Sequence, residues 1–208
     1  QFPYEPTLYE VVNDLYGFGT VLTAPGQNLN NGGLRTAVGD EVLSAYWVKA
    51  DPARPVSVRL MSAWHSGADC SDPRALSYGS FISWFAKGST ADKYILGGAQ
   101  QDIQRLLPRD YDVPTKPAAS TFDPGTQVFG WHIEHEFSDD TLALQEPWCM
   151  TGQVCGHRVR FWPVKDASGG TVANTWIISV DMHQDDPFFA NYDFNDETYL
   201  VENIKPAP

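Results

Sequence analysis

Short runs of β-branched and aromatic residues, separated by Gly, Pro, Asn and Asp, restrict the fold of this chain more than any other feature. These runs lie at 41–48, 56–64, 79–86, 126–137, 157–164, 174–182 and 198–204. Most of them alternate apolar and polar residues, which is the period of a half-buried strand. The sequence shows neither a regular strand–helix alternation nor a repeat of about 20–50 residues. The pattern predicts an all-β fold, an antiparallel β-sandwich with jelly-roll-like topology.

One short helix is expected before the first strand, in the segment TLYEVVNDLYG at 7–17. Thr7 and Glu10 have the spacing of a capping box, and Gly17 stands where a C-terminal cap belongs. The apolar residues that would share one helix face are Leu8, Val11, Val12 and Leu15. We therefore predict an amphipathic helix that packs on the sheet.

The length of 208 residues fits one domain spanning 1–208, because β-sandwiches of this size often remain undivided. The stretch 106–126 contains four prolines and is predicted to be a long loop. The stretch KDASGGT at 165–171 is predicted to be a hairpin turn between two strands.

The formal net charge of −12 disfavours nucleic acid and anionic membranes as partners, because their phosphates repel an acidic protein. Membrane insertion is not expected, since no apolar run approaches the roughly 20 residues needed to cross a bilayer. The first residue is Gln1 rather than Met, as expected for a processed secreted protein or for a trimmed chain. With a composition rich in loop-forming residues, we expect an extracellular or cell-surface location.

The three cysteines, Cys70, Cys149 and Cys155, form no CxxC motif, which excludes zinc-ribbon and thioredoxin-like sites. The spacing of Cys149 and Cys155, with Gly152 between them, allows a small loop closed by a disulfide. Pairing of Cys70 with either of the other two is the alternative.

The C-terminal part of the chain is acidic: Lys and Arg are absent from Asp166 to Ile204, where eight Asp and Glu residues occur. Carboxylates crowded into adjoining loops repel each other unless a cation neutralises them, and calcium prefers six to eight oxygen ligands. The candidate ligands are Asp181, Asp185, Asp193, Asn195 and Asp196. The sequence predicts a structural calcium site, with solvated acidic turns as the alternative.

The ending NTWIISVDM…NYDFNDETYLVENIKP resembles the closing segment of bacterial extracellular modules of the DUF4114 type. In those modules an acidic strand end is followed by D-[YF]-N-D and an apolar strand. The resemblance implies a β-sandwich on a secreted or surface-anchored protein, with Asp193, Asn195 and Asp196 as motif positions and Asp181 as the upstream acid. Glu197 stands where the resemblance leads us to expect an apolar residue.

A second cluster of titratable residues lies in GWHIEHEFSDD at 130–140. If this stretch is one strand, His132, Glu134 and Glu136 share one face, and the opposite face places His135 among apolar residues in the core. The first three side chains are expected to form a solvated strand face. The alternatives are that they contribute to a binding or metal site, or that Glu134 and Glu136, with His132, form a carboxylate pair that could cleave a glycoside.

Aromatic residues offer candidate contacts for a sugar. Trp148 follows Pro147 in the predicted disulfide loop, where its ring could stack on a sugar; Trp84 and Tyr111 are further candidates. We predict a non-catalytic, calcium-binding module for adhesion, glycan binding or surface assembly, with a glycan or a surface protein as its partner. The alternatives are a secreted polysaccharide hydrolase and a self-assembling extracellular structural protein, since exposed strand edges favour self-association.

Overall fold

A computed structural model describes residues 6–22, 36–64, 81–97, 104–107, 117–133, 135–146, 149, 156–181 and 192–208. Two short helices are α1 (Glu10–Leu15) and α2 (Asp140–Ala143). The strands are β1 (Trp47–Lys49), β2 (Val56–Trp64), β3 (Phe81–Ala86), β4 (Lys93–Gly97), β5 (Gln104–Leu106), β6 (Ala119–Phe122), β7 (Phe129–Ile133), β8 (Glu136–Phe137), β9 (Val159–Lys165), β10 (Thr171–Val180), β11 (Glu197–Glu202) and β12 (Ile204–Pro206).

The strands form two antiparallel sheets, which confirms the predicted all-β sandwich. The first sheet has the order β12-β1-β7-β3-β4, with β8 also paired to β7. The second has the order β5-β2-β11-β10-β9, with β6 also paired to β2. The last two long strands, β10 and β11, therefore lie at the centre of the second sheet beside β9.

The main core lies between the two sheets and follows the alternation of the strands. In β10, Ile178 and Val180 face the first sheet, while Ile177 and Ser179 face outward. Trp47 of the first sheet contacts Phe161 of the second, with ring centroids 4.7 Å apart. Aromatic side chains from both sheets thus fill the interior.

The outer face of the second sheet is also covered. Its apolar side chains pack against α1, against Leu22 after that helix and against Phe194 before β11. This second core comprises Leu8, Val11, Val12, Leu22, Met61, Trp162, Val164, Ile177 and Phe194. The amide of Val42 donates to the carbonyl of Phe161 on β9 at 2.9 Å. The edge strand β9 is therefore partly covered by the chain between α1 and β1.

The predicted helix is present and is capped as expected. The Glu10 amide donates to Thr7 Oγ1 at 3.2 Å, and the Thr7 amide donates to Glu10 Oε2 at 2.8 Å, which completes the capping box. Gly17 has φ +72° and ends the helix. The prediction for Leu15 was wrong, because its side chain is 42% exposed. Residues 10–15 form a π-type helix, so the 3.6-residue period no longer places Leu15 on the buried face.

The GWHIEHEF stretch is a hairpin and not one strand, so this part of the prediction was wrong. β7 ends at Ile133, the chain reverses, and β8 begins at Glu136, with Ile133 opposite Glu136 and His132 opposite Phe137. The side chains after the turn therefore lie on the face of the sheet opposite to the one predicted. His135, expected in the core, is exposed in the turn, while Glu136 shares the core-facing side with Ile133.

The predicted loop at 106–126 contains a strand that the prediction missed. β6 lies within it and pairs with β2, with Phe122 opposite Val56. By contrast, the predicted turn at 165–171 joins β9 to β10 as expected, where the Asp166 amide donates to the Gly170 carbonyl at 2.8 Å. Within the described ranges, no helix is long and apolar enough to span a membrane.

The chain passes from the second sheet to the first at Asn203, a buried residue between β11 and β12. Asn203 has φ +69°, in the left-handed region that Asn tolerates better than most residues. Its Oδ1 accepts from the Asp51 amide at 2.7 Å, and its Nδ2 lies 2.8–3.1 Å from the carbonyls of Asp51, Arg54 and Pro55. The Asn203 side chain thus links the point where the chain passes between the two sheets to the turn before β2.

Candidate functional site

Four of the five predicted calcium ligands lie in the part of the chain that the structure describes, and all four are buried. They are 1–5% exposed, and they are Asp181, Asp193, Asn195 and Asp196. Asp181 directly follows β10 and Asp196 directly precedes β11, whose paired ends are Val180 and Glu197. The antiparallel pairing therefore brings the two acidic segments to the same end of the second sheet. Asp185 lies outside the described residues.

The segment before β11 is held against the outer face of the second sheet. The Ser179 hydroxyl of β10 donates to the Phe194 carbonyl and lies 2.9 Å from Thr198 Oγ1. The Asn195 Nδ2 donates to the Pro6 carbonyl at 2.7 Å, which links the segment to the start of α1. Tyr192 and Phe194 have φ values of 55° and 59°. Two aromatic residues in the left-handed region require support from such surrounding contacts.

Two arginines contact this segment: Arg158 directly precedes β9, and Arg160 lies within it. Arg158 Nη1 is 3.2 Å from Asp181 Oδ1, and its guanidinium lies 4.7 Å from the centroid of the Tyr192 ring. Arg160, two residues further along the strand, stacks in the same way on Phe194 at 4.4 Å. Alternation along β9 places both guanidinium groups on the outer face of the sheet.

Arg160 belongs to a buried ionic cluster next to the acidic segment. Its Nη1 lies 2.7 Å from Glu41 Oε2, and neither side chain has exposed surface. The other oxygen of Glu41, Oε1, is 2.9 Å from His157 Nε2. The His157 amide in turn donates to Asp140 Oδ1 at 2.7 Å. This cluster ties β9 to the segment before β1 and to α2.

The charge around Asp181 is not balanced by Arg158 alone. Burial raises the pKa of Asp181 to about 7, with the nearby Asp193 carboxylate adding to the increase and Arg158 opposing it. A buried carboxylate with a pKa this high binds a proton near neutral pH unless another cation approaches. A cation close to Asp181 would favour its ionised form.

The described side chains supply some of the oxygen ligands that a hard cation such as calcium requires, but not all of them. Asp181 Oδ2 and Asn195 Oδ1 are buried and accept no hydrogen bond from the described residues. Calcium requires six to eight oxygens, which is more than these side chains supply. Among the described residues, no three His, Cys, Asp or Glu side chains are grouped as metal ligands. A complete shell would need carbonyl oxygens, water or side chains from 182–191.

Glu197 is a carboxylate inside the sandwich. It occupies a core-facing position of β11 and is fully buried. The Tyr199 hydroxyl, on the same face, donates to Glu197 Oε2. Tyr199 thus provides hydrogen bonding for a carboxylate inside the sandwich.

Two members of the predicted cluster, His132 and Glu136, do not share one face. Glu136 has no exposed surface, so its carboxylate cannot reach a polysaccharide, and Glu134 lies outside the described residues. His132 is stacked on Phe137 with ring centroids 3.8 Å apart, and its Nδ1 lies 2.7 Å from Asp92 Oδ2. Burial lowers the pKa of His132, and Asp92 opposes that decrease.

Of the three aromatic residues predicted to contact a sugar, only Trp84 lies within the described residues. Trp84 is 5% exposed and stacks on Phe122 at 5.5 Å, so its ring is buried and cannot contact a sugar. Trp148 and Tyr111 lie outside the described residues. So do Cys70 and Cys155, and the Cys149–Cys155 disulfide therefore stays a prediction.

Sequence reasoning missed the basic residues of the site, Arg158 and Arg160, together with their neighbours Glu41 and His157. The signal was present in HRVR, where two arginines alternate on the strand before the predicted turn at 165–171. A hairpin at that turn places β9 beside β10, and its arginines beside the end of β10. Comparison with protein-family models, curated proteins and solved structures found no match to the chain.

Proposed function

We propose that this chain is a secreted or cell-surface, non-catalytic β-sandwich module that binds calcium between β10 and β11 and acts in adhesion, glycan binding or surface assembly. The observation that carries the proposal is the pair of buried acceptor oxygens Asp181 Oδ2 and Asn195 Oδ1, which lie in the two acidic segments that meet at this end of the sheet. A cation there would stabilise the loop in its ionised form. We propose Asp181, Asp193 and Asn195 as protein ligands, with Asp185 and Asp196 as additional donors.

The role proposed for calcium is structural. The acidic segment lies over Arg158 and Arg160 and is joined to α1 through Asn195 and Pro6. A cation bound at Asp181 and Asp193 would therefore fix the outer layer of the second sheet. At the affinity expected for extracellular modules, a Kd of about 10⁻⁴–10⁻³ M, the site would be filled at extracellular calcium levels.

Calcium titration by isothermal calorimetry tests this proposal. We expect one site with a Kd of about 10⁻⁴–10⁻³ M in the unaltered protein and at least a tenfold weaker Kd for Asp193→Asn. The substitution keeps the side-chain shape and removes one charge. Magnesium is expected to bind more weakly, because it requires a smaller and stricter octahedral shell.

The matched control for this titration is Glu202→Gln. Glu202 lies on β11, close in sequence to Asp193, but its side chain is exposed. Removing its charge lowers the net acidity by the same amount without changing the buried site. Equal weakening by both substitutions would mean that calcium is attracted only by the overall negative charge, and it would contradict a specific site.

A further inference from the structure

A second surface feature lies on the outer face of the first sheet, away from the acidic segment. It is an open depression of about 480 Å³ lined by Tyr46, Gly88, Ser89, Thr90 and Leu142. The lining comes from three separate parts of the chain, namely the residue before β1, the turn between β3 and β4, and α2. The fold therefore determines the shape of the depression.

The aromatic ring in this depression is held in place. The Tyr46 hydroxyl donates to Asp139 Oδ2 at 2.5 Å, and the ring meets Phe85 edge to face at 6.2 Å. The Lys87 ammonium lies 4.9 Å from the centroid of the Tyr46 ring. A ring fixed in this way loses little conformational entropy when a ligand packs against it.

The wall formed by the β3–β4 turn is polar and open. Ser89 and Thr90 are exposed and line the depression, and Ser89 Oγ accepts from the Ala91 amide at 3.1 Å. Gly88 has φ +86°, and nothing lies within 4 Å of the position where a Cβ would be. The turn is itself ordered, because the Ser89 amide donates to the Ala86 carbonyl at 2.9 Å. Glycine suits this turn because φ +86° lies in the left-handed region that residues with a side chain rarely adopt.

The surrounding charges disfavour an anionic ligand. The Asp139 carboxylate accepts from the Tyr46 hydroxyl and so places a negative charge beside the depression. With a net charge of −12 for the whole chain, an acidic ligand would be repelled.

We propose that this depression binds a short stretch of a neutral glycan. The Tyr46 ring would contact the apolar face of a sugar, while Ser89, Thr90 and Lys87 would bind its hydroxyl groups. The open shape leaves the remaining sugar hydroxyls in water, as suits a polyhydroxylated ligand. This inference rests on the proposed function, because it names the ligand class of a non-catalytic module.

Nuclear magnetic resonance titration tests this inference with cellohexaose, laminarihexaose and chitohexaose as neutral probes and an oligogalacturonate as the acidic probe. At a probe concentration of about 10 mM, sites with a Kd near 1 mM are largely filled. We expect at least one neutral probe to shift the amide signals of residues 87–90 and Leu142. The acidic probe is expected to leave them unchanged.

The variant Thr90→Trp fills the depression from an exposed position, so the fold is expected to remain intact. We expect it to weaken binding of the neutral probe at least tenfold, whereas Thr171→Trp, at an exposed position on the second sheet, leaves binding unchanged. Failure of all neutral probes to shift these signals would overturn the inference. So would binding that Thr90→Trp does not affect.

The titration separates this inference from the calcium proposal. Calcium binding without any sugar binding would overturn the glycan site and leave the calcium-binding module intact. Sugar binding at residues 87–90 without calcium binding would support the glycan site and contradict the calcium proposal.

Discussion

Replacing Arg160 by methionine is expected to lower the free energy of unfolding by about 3–5 kcal/mol, the usual cost of removing one partner of a buried ion pair. The substitution leaves the fully buried Glu41 carboxylate with His157 at 2.9 Å but without its guanidinium partner. It also removes the cation that lies against the Phe194 ring. Urea denaturation followed by tryptophan fluorescence measures this loss.

The same strand offers a matched control for Arg160→Met. Lys165 Nζ is 2.6 Å from Asp40 Oδ2, and both side chains are about one-fifth exposed. Because water screens this pair, Lys165→Met is expected to cost less than about 1 kcal/mol. Combining Arg160→Met with Glu41→Met should restore part of the loss, since no buried charge is then left without its partner. Equal losses for Arg160→Met and Lys165→Met would contradict this account.

Replacing Asn203 by aspartate is expected to destabilise the protein by about 3 kcal/mol or more, because a buried carboxylate would replace a hydrogen-bond donor. The Nδ2 of Asn203 faces the carbonyls of Asp51, Arg54 and Pro55, which would repel a carboxylate oxygen in its place. Urea denaturation again measures the change. Asn203→Gly should cost less, since glycine adopts φ +69° without strain and introduces no charge.

Asn174 is the matched control for this substitution. It is also an asparagine in the left-handed region, with φ 56°, but it is exposed on β10. Asn174→Asp is expected to change the stability by no more than about 0.5 kcal/mol, as is usual for exposed positions. If the two substitutions had similar effects, the hydrogen bonds of Asn203 would not hold the sheet crossing together.

The strands that could be predicted from the sequence are those in which a run of β-branched and aromatic residues ends at clear turn residues. β9 and β10 are two such runs joined by a turn containing Gly169 and Gly170, and their pairing follows. The turn between β7 and β8 has neither Gly nor Pro at its tip, so alternation alone suggested one continuous strand. The reversal there is a consequence of tertiary packing, in which Phe137 covers His132 and Phe85.

The acidic half of the candidate site could be predicted, but its basic half could not. Asp181, Asp193 and Asn195 are close in sequence to the ends of two recognisable strands. Arg158 is distant from Asp181 along the chain and approaches it only through the register that places Val159 opposite Val180. Glu41 comes from a different part of the chain altogether. Burial of these charges depends on that register, which a single sequence does not specify.

The most direct test of the cation site is the melting temperature of the protein in EDTA and in excess calcium, measured at several pH values. Because the folded-state pKa of Asp181 is raised above its unfolded value to about 7, its contribution to stability is present in acid and is lost as the pH rises through 7. In EDTA the melting temperature of the unaltered protein should therefore decrease as the pH is raised from about 5 to about 8. The decrease should be smaller for Asp181→Asn, because asparagine does not ionise.

Calcium binds the ionised carboxylates, so it should raise the melting temperature by several degrees at about pH 7.5 and by less at about pH 5. The Asp181→Asn and Asp193→Asn variants should lose most of this response, while Glu202→Gln should retain it. An unaltered protein that melts at the same temperature in calcium and in EDTA at about pH 7.5 would contradict the calcium site.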